Sequence, residues 1–183
     1  MSSESVDGST FRAVMRRVPS PVVVVTAPGI DAPGRGITIG SFTSVALEPP
    51  LISFNVARDA SMHAVMQACG RFAVHVLGEG QAYLAKQFAV PDITGEEQFE
   101  SVPHQIDPYG VPIIEGTGVV LHCVPHDDVE AGDKTLFIGR VVDVEENADD
   151  GAVLYYQRSY RGVGSELRSS LLSPVNRVSS DSS

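Results

Sequence analysis

Pro21 is followed by Val22-Val23-Val24-Val25-Thr26-Ala27. Five β-branched residues in a row are poor helix formers, because each fixes χ1 against the preceding turn. The run has no polar face, so it fits a short strand buried on both sides. That one element demands covering structure on two faces. The rest of the chain offers mostly further short extended segments, punctuated by 17 glycines and 12 prolines. "ITIGSFTSVAL" reads as continuing extended structure, with Gly40 as a bulge or close-approach point. "EPP" breaks it and "LISFNVA" resumes. "RFAVHVL" alternates as a half-buried strand, with Phe72, Val74 and Val76 on one face and Arg71, Ala73, His75 and Leu77 on the other. "GTGVVLHCVPHDDV" and "DKTLFIGRVVDVEEN" form two strands joined by the turn "EAGD", and "AVLYYQRSY" is a last extended piece.

Helical spacing is sparse. "STFRAVMRRV" places Phe11, Val14, Met15 and Val18 on one face, with Ser9 or Thr10 as cap. "DASMHAVMQACG" predicts a helix capped by Asp59 or Ser61 and stopped by Gly70. "EGQAYLAKQFAV" predicts another, closed by Pro91. Residues 92–112 read as a polar connection holding a binding or lid loop. The balance is about six or seven strands, mostly sequential, with three short helices, which favours an antiparallel barrel over a doubly wound parallel sheet.

Length and charge bound the function. The 183 residues suit one domain, with residues 1–8 expected to be loose, 9–164 to form the domain, and the serine-rich 165–183 to fray. The net charge of −10 and pI near 4.8 disfavour nucleic acid and anionic membranes as partners. No apolar run approaches membrane-span length, and the first residues lack the basic and apolar regions of a signal peptide, so a cytoplasmic protein is expected. Cys69 and Cys123 are distant, without a CxxC, and read as small buried hydrophobes. His63, His75, His104, His122 and His126 have no metal-ligand spacing, and no GxSxG elbow suggests a Ser–His–Asp triad. Neither GxGxxG nor GxxxxGK[ST] is present.

The chemically informative stretch is "GITIGSFTSVALEPPLISFNVARDAS", Gly36 to Ser61. Its hydroxyls and backbone amides suit a polar or planar ligand, and its small residues permit close backbone approach. Arg58 offers a charge-assisted bond to a phosphate, and Ser61 opens a predicted helix whose first amides favour an anion. A phosphorylated flavin such as FMN has both a planar head and a phosphate. Water-exposed strand and turn hydroxyls explain the same composition, and most such clusters bind only water.

Six segments in order resemble the flavin reductase-like family: "FRAVMRRVPSPVVVVTA", the stretch just quoted, "GRFAVHVLGEGQAYLAKQFA", "VPIIEGTGVVLHCV", "GDKTLFIGRVVDVE" and "LYYQRSYR". The resemblance spans roughly residues 11–161 and implies a mainly β fold, the FMN-binding split β-barrel, with a few short peripheral helices. It implies NAD(P)H:flavin oxidoreductase activity, with FMN or FAD as flavin and NADH or NADPH as donor. It also implies a homodimer holding flavin near the subunit interface, supplying reduced flavin to a partner monooxygenase. On the family's pattern, Thr38, Ile39, Ser41 and Ser44 would contact the isoalloxazine and ribityl chain. Asn55, Val56, Arg58 and Ser61 would contact the ribityl and phosphate groups. Phe88 would be the family's aromatic near the flavin, or a core anchor. The family's Gly-Asp-His turn reads here as Gly132-Asp133-Lys134, so Asp133 and Lys134 would lie on the nicotinamide side, with Tyr160 and Arg161 near the dinucleotide. No catalytic acid or base is required, because hydride passes from cofactor to cofactor. The lysine departs from the family's histidine, which leaves two alternatives open. One is a flavin-binding or electron-carrier protein without reductase activity. The other is an enzyme that retains FMN and acts on a separate small substrate.

Overall fold

A computed structural model describes residues 6–29, 34–91, 93–147 and 151–166. In chain order the elements are α1 (Gly8–Met15), β1 (Ser20–Pro21), β2 (Val23–Ala27), β3 (Arg35–Ile39), β4 (Thr43–Leu47), β5 (Pro50–Ala57), α2 (Ser61–Ala68) and β6 (Phe72–Val76). There follow a 3-10 turn (Glu79–Gln81), α3 (Ala82–Gln87), α4 (Gly95–Phe99), β7 (His104–Ile106), β8 (Pro112–Ile114), β9 (Val119–Ala131), β10 (Lys134–Glu146), β11 (Val153–Tyr156) and β12 (Ser159–Gly162). The fold is mainly β with few helices. Seven strands pair in the order β3-β2-β6-β9-β10-β5-β4, all antiparallel. Smaller sheets join β1-β11-β12 and β7-β8.

The valine run behaves as its chemistry requires. Val23, Val25 and Ala27 enter the main core with Phe54, Phe72, Phe137 and α2's Met62, Val65 and Met66. Val22 and Val24 point the other way, into a second core with Leu84, Phe88, Phe99, Ile114 and Val153. Gly139 is needed on β10: an added Cβ would lie 2.4 Å from the Phe72 ring, where a bulge shifts the register. The large sheet curls, so β3 at one edge meets β5 beside the other edge, although β3 and β4 do not pair.

Several expectations are corrected. β3 and β4 are separate strands on opposite edges of the sheet, because the chain turns at Gly40–Phe42 instead of passing through a bulge. Asp7, not Ser9 or Thr10, caps α1; its carboxylate accepts from the amides of Ser9 at 2.9 Å and Thr10 at 3.0 Å. Ala60 takes the cap position of α2 and no side chain caps that helix. Gly70 does not adopt the left-handed stop geometry; α2 ends at an extended Cys69. β6 is buried on both faces, because β7–β8 and the second core cover the side expected to meet solvent. Residues 92–112 are not an open lid: α4 and β7 lie within them, and Phe99 and Val102 enter the second core. The last extended piece is a hairpin, β11–β12, turning at Gln157 and Arg158. The tail from residue 167 lies outside the described residues.

His75 shows how a buried polar group is accommodated. The Thr26 hydroxyl donates to the Pro112 carbonyl at 2.7 Å, which uses its one proton. It must therefore accept from His75 Nε2, 3.0 Å away. Burial pushes the imidazole pKa down to about 3, so it is held neutral. The triad ties β2, β6 and β8 together.

Candidate flavin site

The end of the large sheet where β5 runs into α2 gathers most of the polar candidates. Register places Val56 opposite Thr135 and Ala57 opposite Lys134. The Arg58 amide donates to the Asp133 carbonyl at 3.1 Å, fastening the β5–α2 junction to the Gly132-Asp133 turn. Arg58 also pairs with Glu130 at 3.2 Å, and both side chains face solvent. Such a pair holds the guanidinium weakly, so it remains free to exchange partners. Lys134 Nζ lies 3.1 Å from Asp133 Oδ2. That hydrogen bond and charge hold the Asp133 carboxyl below its usual range, and the Arg12 guanidinium adds to the effect.

Arg35, the first residue of β3, joins this group. Its Nε donates to Ser61 Oγ at 3.0 Å and its Nη2 to the Ile93 carbonyl at 2.8 Å. The start of α2 therefore carries an uncapped turn and a hydroxyl held by a half-buried cation, with Arg58 close in sequence. The missed signal was the charge of Arg35 at the first position of a strand.

The hydroxyl-rich stretch divides by use. Thr38 donates its hydroxyl to the Ala85 carbonyl at 2.8 Å and its amide to the Phe88 carbonyl at 3.1 Å, fixing β3 to α3. Ser41 accepts from the Asn55 amide at 2.9 Å, bridging the β3–β4 turn to β5. Ser44 and Asn55 are exposed. The side chains of Ile39 and Val56 lie in the main core, so only their backbones face outward. Phe88 is buried in the second core, edge-on to Phe99 at 5.1 Å and against Gly36, where a Cβ would sit 2.6 Å from the ring. In this chain its ring is a core anchor. Tyr160 and Arg161 lie on β12, packed near Tyr155 and Tyr156, on the small sheet rather than at the β5–α2 end.

Other chemistry is sparse. Burial pushes the Cys69 and Cys123 thiols up to about 11 and about 12, so neither is a ready nucleophile. Among the described residues no cluster of His, Cys, Asp or Glu is placed to hold a metal, and no helix is long and apolar enough to cross a membrane. A cavity of about 790 Å³ lies elsewhere, between residues 105–116 and β6, β9 and β10, and shares no residue with the polar end.

The sequence matches the family described as flavin reductase like domain over residues 15–164. The chain belongs to this family. A relative from Rhodococcus erythropolis, an NADH:FMN oxidoreductase, is 35% identical over 164 residues, 86% of this chain and 83% of its own length. Among solved family structures, the Streptomyces globisporus NADH:FAD oxidoreductase SgcE6 in complex with NAD and FAD fragments matches with a TM-score of 0.79 at 35% identity, covering 88% of this chain and 98% of that one. BorF, the flavin reductase component of a bacterial two-component tryptophan halogenase, matches with a TM-score of 0.78 at 30% identity, covering 87% and 100%.

Proposed function

We propose that this family member is an NAD(P)H:flavin oxidoreductase that binds FMN or FAD at the β5–α2 end of the sheet. The observation that carries the reading is the uncapped α2 start with Arg35, Arg58 and Ser61 beside the Asp133–Lys134 turn. Those residues fit a flavin phosphate: two guanidiniums, one hydroxyl and unfilled helix amides converge on an anion's needs. Bound flavin would supply the hydride acceptor, taking hydride from the nicotinamide C4 at its N5. The chain's part is to hold and orient. Arg58 and Arg35 neutralise the phosphate, and Ser44, Asn55 and the backbones of Ile39 and Val56 face the planar and ribityl portions. Lys134 draws in the anionic donor. Tyr160 and Arg161 lie on β12, on the small sheet; we place them near the dinucleotide and include a homodimer in the proposal.

We read the curled seven-stranded sheet as a split barrel spanning residues 9–164, in a cytoplasmic protein. The reduced flavin passes to a partner monooxygenase, as the relation to a two-component reductase suggests. Both FMN and FAD occur among its relatives' substrates, and the phosphate-end residues suit either. Lys134 in place of histidine favours one second reading, a flavin carrier with little reductase activity, because lysine offers no neutral acceptor beside the nicotinamide.

The deciding experiment follows NADH and NADPH oxidation with and without added FMN or FAD. Oxidation that rises with added flavin is expected. Stoichiometric bound flavin with negligible oxidation of either donor would select the carrier.

A further inference from the structure

His63 lies in the first turn of α2, just after Ser61 and Met62, and its amide donates to the Ala60 carbonyl at 2.9 Å. Its side chain crosses from the helix to β10. Nε2 lies 2.8 Å from the Thr135 hydroxyl, and the ring meets Phe137 edge-on at 5.8 Å. Phe137 is stacked in turn on Phe54 in the main core. The half-buried ring is therefore held on two sides.

The choice of partner carries the inference. Packing on Phe137 alone would satisfy a histidine that served only the core. Thr135 is 2% exposed, follows Lys134 directly, and pairs with Val56 of β5. The hydrogen bond thus runs from the phosphate end of α2 to the residue that leads out of the Asp133–Lys134 turn. The other ties at this end have different routes. Arg35 holds Ser61 to β3, and the Arg58 amide holds the β5–α2 junction to the Asp133 carbonyl. α2 packs against β3 and β5, and His63 connects it to β10.

We propose that His63 is a positioning residue for hydride transfer, which through Thr135 fixes the phosphate end of α2 relative to the donor turn at Asp133–Lys134. This rests on the reductase reading above and adds the part that aligns its two sites. The flavin phosphate is held from Arg35, Arg58 and Ser61, whose own bonds run to one another, to Ile93, to Glu130 and to Asp133. Loss of the His63–Thr135 bond leaves those groups in place. What changes is the placement of the donor turn. Hydride transfer needs close alignment, and a misplacement of about 1 Å can cost roughly a hundredfold in rate.

Fluorescence titration with FMN, and steady-state oxidation of NADH and NADPH at saturating FMN, test it on the same preparations. His63→Ala should lower kcat roughly ten- to a hundredfold with FMN affinity unchanged. Thr135→Val, which removes the hydroxyl and keeps the shape, should reproduce the loss. The double variant should lose no more than either single one, because both remove the same bond. His63→Gln, which can still bond Thr135, should keep most of the rate. An unchanged kcat in His63→Ala or in Thr135→Val overturns the inference and leaves the reductase reading standing. So does a parallel loss of FMN affinity and rate, which marks general loosening. A wild type that oxidises neither donor overturns both. If circular dichroism shows His63→Ala unfolded, the other two single variants decide: a slow Thr135→Val with a fast His63→Gln supports the positioning role, and any other pairing overturns it.

Discussion

The β2–β6 interior and the β5–α2 end use the same residue types in opposite ways. In the interior, the Thr26 hydroxyl donates to the Pro112 carbonyl and accepts from the His75 ring, whose other nitrogen lies 3.5 Å from the buried Thr117 hydroxyl. At the β5–α2 end, Arg58 rests on an exposed carboxylate, Ser44 and Asn55 face solvent, and α2 begins without a side-chain cap. A satisfied buried network holds shape, because losing one partner strands another in a dry medium. Exposed groups with weak partners lose little on exchanging them for a ligand. The first region should therefore answer to stability measurements and the second to binding measurements.

The largest break comes from the interior. Phe54 is fully buried between Phe72, edge-on at 5.7 Å, and Phe137, stacked at 6.1 Å. Phe54→Ala should cost about 3–5 kcal/mol, read as a lowered denaturant midpoint with an unchanged slope. The next test uses pH. His75 has a folded pKa lowered to about 3 from an ordinary 6.5. The unfolded chain thus binds more protons between those values, so stability falls with the pH. This contribution is fully present above pH 6.5 and is lost progressively toward pH 3. About 2 kcal/mol should go between roughly pH 7 and pH 5. His75→Gln should flatten that part of the urea-unfolding profile, and an unaltered slope would remove His75 as its source.

The sequence made the interior more legible than the ligand-facing end. β-Branched runs and a Gly-Asp turn are local signals, so the valine strand and the β9–β10 hairpin could be read directly. Neighbours across the sheet are not local: nothing in "ITIGSFTSVAL" marks that its halves go to opposite edges. The same limit hid Arg35, whose partners Ser61 and Ile93 lie 26 and 58 residues away. Residues 92–112 looked polar because only Phe99, Val102 and a few others face inward, which composition averages away. Family resemblance pointed to segments that the fold brings together at the polar end. It could not separate Ser44, which is free, from Thr38, whose hydroxyl is committed to Ala85.

Arg58 sharpens the contrast between the regions. Its pair with Glu130 is solvent-exposed, so Arg58→Ala should change stability by less than about 1 kcal/mol. A charge-assisted bond to a flavin phosphate should nevertheless cost about 1.5–3 kcal/mol of affinity when removed. Fluorescence titration with FMN and with riboflavin separates the cases. FMN should weaken roughly 10- to 150-fold and riboflavin, lacking the phosphate, hardly at all. Equal losses for both would place Arg58 away from the phosphate.

Lys134 should give the smallest effect, and one on rate instead of binding. It sits opposite Ala57 at the start of β10, and its ammonium rests on Asp133. Lys134→His would shorten the side chain and exchange a fixed cation for a ring that is mostly neutral at pH 7. If the turn faces the nicotinamide, NADH turnover should rise by a few-fold, while NADPH, whose extra phosphate the lysine would attract, should gain less. Steady-state rates with both donors at saturating FMN read the difference. Unchanged rates with both would detach this turn from the donor site, leaving the β5–α2 end as a flavin-phosphate site whose nicotinamide contacts come from elsewhere.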